Sequence, residues 1–392
     1  MITSIEIQNF KNLEALKIEN LGRVNLFTGK NNTGKTSLLE AISIIANGGT
    51  LYSILEVIRR RNSPIIIKNL RNELRSLRDI EFEQYLDSDN SDRALLLKDL
   101  FNQTNSFKTP IKIESNIKSN KISFLISIVP TILSEEQREE NGRIISKKVR
   151  KEVEINDSLF QNDTLTINEL VDSVKIENNS KKILISIQDF FENVSQYFRY
   201  ERETETTQIF FINNIGDKKQ DNGLLWDKII LTPKYKEVIS ALQIIDPKIE
   251  ELVFTGSGNQ RIPKVKLKNL EQQVSLSTMG DGINKILNII LSLVNCKDGY
   301  LLIDEFENGL HYTVQEKLWE IIFRISKDLN VQVFATTHSK DSIEAFSKVQ
   351  NSQNEHEVGK FLRLEKQKNG IVGIEYSSED LQNVFEYHFE LR

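Results

Sequence analysis

The chain has 392 residues, and this length indicates one large domain with an insertion, or two domains. Hydrophobic residues make up 39% and charged residues 27%, which are ordinary values for a globular protein. Its formal net charge of −5 argues against a uniformly basic nucleic-acid binder and is compatible with a local basic patch. A single cysteine, Cys296, argues against a disulfide framework, and no stretch approaches the ~18 uninterrupted apolar residues of a membrane-spanning helix, so we expect a cytoplasmic protein without membrane contact.

The first predicted elements flank a glycine-containing loop. Alternating apolar and polar residues at 2–8 predict a half-buried strand, with residues 15–18 as its hairpin partner. Residues 23–28 predict a buried strand, and residues 37–45 have the apolar spacing of a helix. The loop between these two elements reads GKNNTGKTS, and this position aims the N-terminus of the following helix at a bound anion.

The loop fits the phosphate-binding pattern G-x-x-x-x-G-K-[ST] through Gly29, Gly34, Lys35 and Thr36. In this pattern backbone N–H groups surround the phosphates of a nucleotide, the lysine reaches the β- and γ-phosphate oxygens, and the hydroxyl holds Mg²⁺. The sequence therefore predicts that Lys35 acts on the phosphates and that Thr36 is a metal ligand. The remaining loop side chains are further candidate contacts of the nucleotide: Asn31, Asn32, Thr33 and Ser37.

The middle of the chain carries weaker signals. Residues 49–103 have an interrupted helical pattern and a basic cluster, which is explained either by a solvated helix face or by contacts to DNA phosphates. Residues 109–155 predict short strands, with the polar run 134–141 as a surface loop. The acidic run 87–92 fits neither a calcium loop nor a nuclease site, so we expect a solvated turn there. The basic cluster consists of Arg59, Arg60, Arg61, Lys68, Arg71, Arg75 and Arg78.

Two further buried strands are each followed by residues that fit phosphate chemistry. Residues 300–303 predict a strand that ends in Asp304 and Glu305, at the edge where ligands bind in open α/β sheets. Asp304 is our candidate for the Mg²⁺ shell, and Glu305 is our candidate for the general base that polarises the attacking water. Residues 331–335 predict the second strand, and His338 after it is placed to hydrogen-bond a γ-phosphate. The alternatives are a solvated acidic turn and a structural histidine.

A second anion site is predicted at residues 275–282. Ser277 and Gly280 lie just ahead of an amphipathic helix, so a hydroxyl, backbone N–H groups and the helix dipole converge there. The alternative is that Asp281 is a simple helix N-cap. Because one nucleotide does not need two anion sites in one chain, two subunits that face each other head to tail would use both.

Taken in order, these motifs resemble those of the ABC-type P-loop ATPases of the SMC, RecF and OLD (overcoming lysogenization defect) group. Residues 5–42 resemble their N-terminal region, and the later phrases LSTMGDGINKIL, LLIDEFENGLH and VFATTHS resemble their signature motif, Walker B motif with D-loop, and His-switch. The resemblance implies an α/β P-loop fold of ABC-ATPase type with an inserted helical and β subdomain. It assigns residues 1–48 and 230–392 to the nucleotide-binding domain and residues 49–229 to the insertion.

The same resemblance implies ATP and Mg²⁺ as ligands and a homodimer around two ATP molecules. In such a dimer Ser277 and Gly280 contact the γ-phosphate bound by the opposite subunit, and Lys11 matches a basic position near the nucleotide. A Q-loop glutamine is expected in the inserted region, where the sequence leaves its position open.

Residues 307–311 resemble the dimer-contacting segment of the OLD-like branch, which implies an ATP-hydrolysing subunit of a bacterial anti-phage defence system. OLD nucleases continue after the His-switch into a TOPRIM nuclease domain, whereas only ~50 residues follow Ser339 here, too few for another domain. We therefore expect a separate effector, a TOPRIM-type nuclease, in trans. One alternative is a RecF-like repair and recombination ATPase that binds DNA in an ATP-dependent way, and another is an ATP-gated scaffold.

Overall fold

The computed structural model describes residues 1–61, 96–102, 109–117, 120–140, 143–153, 171–179, 181–192, 207–213, 222–256, 261–268, 270, 272–352, 358–368 and 370–381. In chain order, strands β1 to β16 span Ile2–Phe10, Leu13–Ile18, Val24–Thr28, Ile111–Ile117, Asn120–Glu140, Arg143–Glu152, Val171–Asn178, Lys181–Ser186, Ile209–Ile212, Ile249–Thr255, Ile262–Leu267, Val274–Ser275, Tyr300–Ile303, Gln332–Thr336, Gly359–Gln367 and Gly370–Tyr376. Helices α1 to α8 span Lys35–Ala46, Leu51–Arg61, Ile187–Glu192, Asn222–Asp227, Tyr235–Leu242, Asp281–Asn295, Tyr312–Asp328 and Lys340–Ser352.

The central sheet has the strand order β16–β15–β3–β14–β13–β9. Strands β15, β3, β14, β13 and β9 run parallel, and β16 closes an antiparallel hairpin on β15. Every residue of β3, β13 and β14 is buried, as expected for parallel strands that are covered on both faces. Because the strands are parallel, the residues that follow β3, β13 and β14 meet at one edge of the sheet.

Alternate residues of these strands pack into hydrophobic cores on opposite faces of the sheet. On one face Leu26 and Ile303 belong to the core that contains Trp319, whose ring stacks on Phe306 with the ring centroids 4.1 Å apart. On the other face Phe27 stacks on Phe334, with 6.5 Å between the ring centroids, against the buried side of α1. Close packing on both faces makes this sheet a rigid base for the loops at its edge.

A second sheet has the order β2–β1–β4–β5–β7–β8, with β6 paired to β5. The predicted N-terminal hairpin is confirmed, since β1 and β2 are antiparallel neighbours. Strand β4, which comes from the middle of the chain, pairs with β1 and places Ile113 opposite Ile7. Strand β9, also from the middle of the chain, pairs with β13 in the central sheet. The division into residues 1–48 with 230–392 and residues 49–229 stays a prediction, and both sheets contain strands from each part.

The prediction of a surface loop at residues 134–141 is wrong, because β5 continues to Glu140 and pairs with β6. The pairing of β5 with β7 ends at Thr131, so beyond this residue β5 and β6 form a two-stranded ribbon. The register places Glu135 opposite Lys148, and cross-strand pairs of opposite charge stabilise antiparallel strands. A ribbon outside the main sheet needs no apolar face, which is why its polar sequence resembles a loop.

The part of the chain between β9 and β13 contains the helix α5 and the strands β10 and β11. Together with β12 these strands form a small antiparallel sheet next to α6. In the described portion of the protein, no helix has the length and apolarity to cross a lipid bilayer.

The basic cluster begins at the end of α2. The guanidinium of Arg60 lies 4.1 Å from the centroid of the Phe211 ring and donates a hydrogen bond to Ser43 Oγ at 3.4 Å. Arg60 is half-buried, so it contributes to packing between α2, α1 and β9. The members of the cluster from Lys68 onward and the acidic run 87–92 lie outside the described residues, and the interpretations made for them stay predictions.

Candidate active site

The glycine-containing loop connects β3 to α1 and depends on two glycines. Gly34 has a φ of +84°, a conformation that favours glycine, and a Cβ at this position would collide with the side chain of Leu13. A Cβ on Gly29 would collide with the backbone oxygen of Leu364 in β15. The loop therefore packs so closely against its neighbours that these two positions accept no side chain.

Lys35, the first residue of α1, folds back over the loop. Its Nζ donates hydrogen bonds to the backbone oxygens of Gly29 at 2.8 Å and Lys30 at 3.0 Å. Burial lowers the pKa of Lys35 to about 8, against the opposing effect of nearby carboxylates, of which Asp304 has the largest. An anion beside the ammonium group would favour its charged form. The ammonium group of Lys35 therefore lies where a bound anion would stabilise its charged form.

Thr36 and Asp304 are brought together from distant parts of the sequence. Thr36 Oγ1 donates to Asp304 Oδ2 at 2.9 Å, and Thr336 Oγ1 at the end of β14 donates to Asp304 Oδ1 at 2.6 Å. Burial raises the pKa of Asp304 despite these two hydrogen bonds. A hydroxyl beside a carboxylate is a set of hard oxygen donors that fits Mg²⁺, so the residues present agree with the predicted metal site.

Glu305 occupies an unusual backbone position just after β13. Its φ of +50° is left-handed, which is uncommon for a non-glycine residue and recurs at functional sites. Its carboxylate accepts a hydrogen bond from Asn308 Nδ2 at 3.3 Å, and its backbone oxygen accepts one from Lys285 Nζ of α6 at 3.4 Å. Its backbone N–H donates to Thr336 Oγ1 at 2.9 Å. These contacts fix the residue that follows Asp304.

Glu307 connects the segments after β13 and β14. Its carboxylate accepts a hydrogen bond from Thr337 Oγ1 and another from the backbone N–H of His338, both at 2.7 Å. Burial, followed by the positive charge of Lys35, lowers the pKa of His338, so the imidazole is neutral at neutral pH. Sequence reasoning assigned Glu307 only to a dimer-contacting segment. Its position two residues after Glu305 was the available sign of a further role.

A cleft of about 610 Å³ unites most of the predicted site residues, and this volume suits a small-molecule ligand. Gly29 and Thr33 are buried within the loop itself, where Thr33 Oγ1 donates to the backbone oxygen of Lys30 at 2.8 Å. The predicted residues that line the cleft are Lys11, Asn31, Asn32, Gly34, Lys35, Thr36, Ser37, Asp304, Glu305 and His338.

Lys11 lies in the wall of the cleft, with its charge engaged by a neighbour. Its Nζ lies 2.7 Å from Glu40 Oε2, and both side chains are at least nine-tenths buried. The next residue, Asn12, supports the loop: its Nδ2 donates to the backbone oxygen of Asn32 at 3.1 Å, and its Oδ1 accepts from Ser37 Oγ at 2.8 Å. Sequence reasoning missed Asn12, although its place directly after Lys11 was a usable signal.

Asn213 is another residue that sequence reasoning missed. It follows β9, whose last residue, Ile212, accepts a hydrogen bond from the backbone N–H of Asp304 at 2.7 Å. Asn213 Oδ1 is buried and has no hydrogen-bond partner among the described residues. Asn213 is not among the described residues that line the cleft.

The residues of the predicted second anion site do not line the described part of the cleft. Ser277 belongs to a 3-10 turn, Leu276–Met279, and Gly280 occupies the N-cap position of α6, so Asp281 is the first helical residue and not the cap. Ser277 and Gly280 are both exposed, and Ser277 Oγ lies 2.9 Å from Ser275 Oγ. Neither belongs to the residues that line the cleft in the described part of the chain. One chain therefore does not bring the two anion sites together.

Known proteins resemble this chain over most of its length. An "ATP/GTP phosphatase" of Helicobacter pylori (strain ATCC 700392 / 26695) is 25% identical over 100% of this chain and 98% of its own length. The "DNA replication and repair protein RecF" of Thermoanaerobacter sp. (strain X514) is 22% identical over 84% of this chain and 99% of its own length. A solved SMC head bound to the C-winged helix domain of ScpA aligns with 10% identity and a TM-score of 0.47, over 97% of this chain and 99% of that one.

The fold and the family agree with the predicted class. The central parallel sheet with the loop between β3 and α1 is the α/β fold of a P-loop ABC-type ATPase, so the predicted fold class is confirmed. Residues 24–343 match the profile of a family described as "AAA domain, putative AbiEii toxin, Type IV TA system". Because this match covers well over half of the chain, the protein belongs to this AAA-domain family of P-loop ATPases.

Proposed function

We propose that the chain binds and hydrolyses ATP in the cleft at the carboxyl edge of the central sheet. The observation that carries this proposal is the meeting of Lys35, the hydrogen-bonded pair Thr36 and Asp304, and Glu305 in one cleft. The name of the Helicobacter pylori relative, an ATP/GTP phosphatase, supports a nucleoside triphosphate as the substrate.

Thr36 and Asp304 would hold Mg²⁺. Bound there, Mg²⁺ would supply positive charge to the phosphate oxygens of the substrate. Hydroxyl, carboxylate and amide oxygens are the ligand types that this ion prefers.

Three side chains would act on the reacting phosphate and water. Lys35 places an ammonium group on the phosphates, Glu305 accepts a proton from the attacking water or orients it, and the neutral imidazole of His338 hydrogen-bonds the γ-phosphate. Glu307 fixes the backbone of His338, so it is a positioning residue. The arrangement divides phosphate binding and water activation between different side chains.

We also propose a head-to-tail homodimer. Ser277 and Gly280 are exposed and outside the cleft of their own chain, while their hydroxyl and backbone N–H groups at the start of α6 suit an anion. In a head-to-tail dimer these residues would meet the γ-phosphate that the opposite subunit binds. Each of the two active sites would then contain residues from both subunits.

The biological role that we propose is the ATPase subunit of a bacterial anti-phage defence system in the cytoplasm, which controls an effector supplied in trans, a TOPRIM-type nuclease. The resemblance to OLD-like ATPases supports it, and so does the family description, which names a toxin of a toxin–antitoxin system. A change of shape between nucleotide states would act on the effector through different affinities for the two states.

A RecF-like DNA repair ATPase is the second candidate function, and the RecF relative of similar length favours it. The two candidates predict different partners. A RecF-like protein binds DNA more tightly with ATP, and the logarithm of its affinity falls linearly with the logarithm of salt concentration. A defence subunit binds the product of a neighbouring gene.

Co-purification with the product of the adjacent gene tests the proposed role. We expect the tagged chain to retain this protein as a stoichiometric complex in the presence of Mg²⁺ and ATP, and we expect the chain alone to leave plasmid DNA intact. Lys35→Ala is the control that separates nucleotide-dependent association from constitutive association. Cleavage of plasmid by the isolated chain would contradict the assignment of the nuclease to a partner, and ATP-stimulated DNA binding without a protein partner would favour the RecF-like function.

A further inference from the structure

The helix α6 contacts the segment that follows β13, and Lys285 makes one of these contacts. Lys285 Nζ donates a hydrogen bond to the backbone oxygen of Glu305 at 3.4 Å. About one helical turn earlier, a Cβ on Gly282 would lie 2.6 Å from the backbone oxygen of Gly309, so the start of α6 packs directly against the backbone of this segment. Because α6 begins after Gly280, the same helix carries the predicted second anion site and contacts the predicted general base.

Lys285 lies near the carboxylates of the active site. Burial lowers the pKa of Lys285, and the carboxylates of Asp304, Glu307 and Glu305 oppose this effect. The same three carboxylates oppose the effect of burial on the pKa of Lys35. Helices α1 and α6 pack into hydrophobic cores on opposite faces of the central sheet, so the two lysines extend toward these carboxylates from opposite faces. Lys35 lines the cleft, whereas Lys285 is not among the described residues that line it, so Lys285 acts on the carboxylate segment and not on a bound nucleotide.

The backbone of Glu305 needs contacts that hold its conformation. A φ of +50° is unfavourable for a residue with a side chain and persists only where the surroundings fix it. The backbone N–H of Glu305 donates to Thr336 Oγ1 at 2.9 Å, and the backbone N–H of Phe306 donates to the backbone oxygen of Thr336 at 2.8 Å. The backbone oxygen of Glu305 lies between these two N–H groups along the chain and accepts from Lys285. Strand β14 therefore holds two donors of this turn, and α6 holds the acceptor between them.

We propose that Lys285 is a positioning residue for the general base: its hydrogen bond to the backbone oxygen of Glu305 keeps the carboxylate of Glu305 directed at the attacking water. An ammonium group suits this place, because a hydrogen bond from a charged donor is stronger than one from a neutral donor. Without it the left-handed backbone relaxes and the carboxylate moves away from the water. The inference rests on the proposed function, in which Glu305 acts on that water.

The substitution Lys285→Met tests this inference, because methionine is also unbranched and has a similar helix propensity but carries no donor. We expect kcat for ATP hydrolysis to fall about tenfold to a hundredfold, the scale of a ~1 Å misplacement of a reacting group. The Kd for ATP should stay within about threefold, since the phosphates are bound by the loop at Lys35. Lys285→Arg keeps a charged donor and should recover part of the lost rate. Lys317→Met, at an exposed position of α7, is the matched control and should change neither quantity.

The double variant Lys285→Met with Glu305→Gln separates positioning from a general structural defect. If Lys285 acts through Glu305, the double variant hydrolyses ATP at about the rate of Glu305→Gln alone, because residues that act as a unit are not additive. A structural defect that is independent of Glu305 would multiply the two losses. Should Lys285→Met fail to fold, Lys285→Gln serves in the same measurements with the same expected fall in kcat.

Two results would overturn the inference: full kcat in Lys285→Met, or a double variant in which the two losses multiply. Hydrolysis by the unsubstituted chain separates this inference from the proposed function. If the unsubstituted chain hydrolyses ATP and Lys285→Met does so equally fast, only the role of Lys285 is contradicted. If the unsubstituted chain does not hydrolyse ATP, both proposals are contradicted.

Discussion

Glu305→Gln is expected to retain ATP binding and to lower ATP turnover by about a hundredfold or more, the scale of losing one general base. The left-handed backbone at Glu305 and the hydrogen bonds to its backbone N–H and oxygen place this side chain in the cleft, next to Asp304. Glutamine keeps the shape of glutamate and loses the ability to accept a proton. The effect should therefore fall on the chemical step and leave phosphate binding intact.

Steady-state ATP hydrolysis, measured together with the equilibrium Kd for ATP, checks this expectation. The matched control is Glu320→Gln, the same change at an exposed position of α7, which should leave both quantities unchanged. Full ATP turnover in Glu305→Gln would contradict the assignment of Glu305 as the general base.

Lys35→Ala is expected to weaken ATP binding about tenfold to a hundredfold, because the substitution removes a charge-assisted hydrogen bond to the phosphates that is worth ~1.5–3 kcal/mol. The ammonium group of Lys35 is buried and held by the backbone oxygens of Gly29 and Lys30. Alanine leaves the helical start of α1 intact, since alanine has the highest helix propensity. The loss should therefore appear in binding and not in folding.

Lys30→Ala is a close control for this prediction. Lys30 lies in the same loop, is exposed, and contributes its backbone oxygen to the contact with Lys35, so its side chain is dispensable for that contact. We expect an ATP affinity within about threefold of the unsubstituted chain. If both lysine variants bind ATP equally well, the placement of the phosphates at Lys35 is wrong.

The central sheet and the contents of the cleft were predictable because their signals are local. Buried parallel strands appear as apolar runs, and the polar residues after them, such as Asp304 and His338, lie at the carboxyl ends of those strands. Gly29 and Gly34 of the phosphate-binding loop lie so close to their neighbours that a Cβ at either position would collide with them. The two glycines were therefore a local signal of this loop. Patterns of this kind depend on neighbouring residues alone, so they can be recognised in the sequence.

The rest of the site depends on contacts between distant residues, which no local pattern reveals. Asn12 of the β1–β2 turn meets Asn32 of the loop after β3, although β1 and β3 belong to different sheets, and Glu307 meets His338 because β13 and β14 are neighbours. Lys11 was expected near the nucleotide and does lie at the cleft, but its ion pair with Glu40 of α1 was not visible in the sequence. Tertiary packing brings these two charged side chains together.

The inserted region was the least predictable part for a different reason. Strand pairing between β4 and β1 joins residues that are more than a hundred positions apart, and the ribbon of β5 and β6 extends beyond the part of β5 that pairs with β7. Residues 96–102 have only an interrupted helical pattern in the sequence, although several of them line the cleft. A segment whose role is set by what it packs against gives little periodic signal.

We propose that each active site is completed by a second copy of the chain, and mixing two inactive variants tests this proposal. Lys35→Ala disables the cleft, and Gly280→Asp places a carboxylate at the second anion site, where a Cβ would meet no described atom within 4 Å. Because Gly280 has a φ of +98°, Ser277→Asp at an exposed position serves as an unstrained second variant.

After subunit exchange, verified by co-purification of two different tags, each mixed dimer has one intact composite site out of two. We expect ATPase activity to return on mixing, from a background near zero to a substantial fraction of the unsubstituted rate. Two results together would contradict the proposal. Mixed dimers would show no ATPase activity, and the unsubstituted chain would be a monomer whose specific activity does not depend on protein concentration.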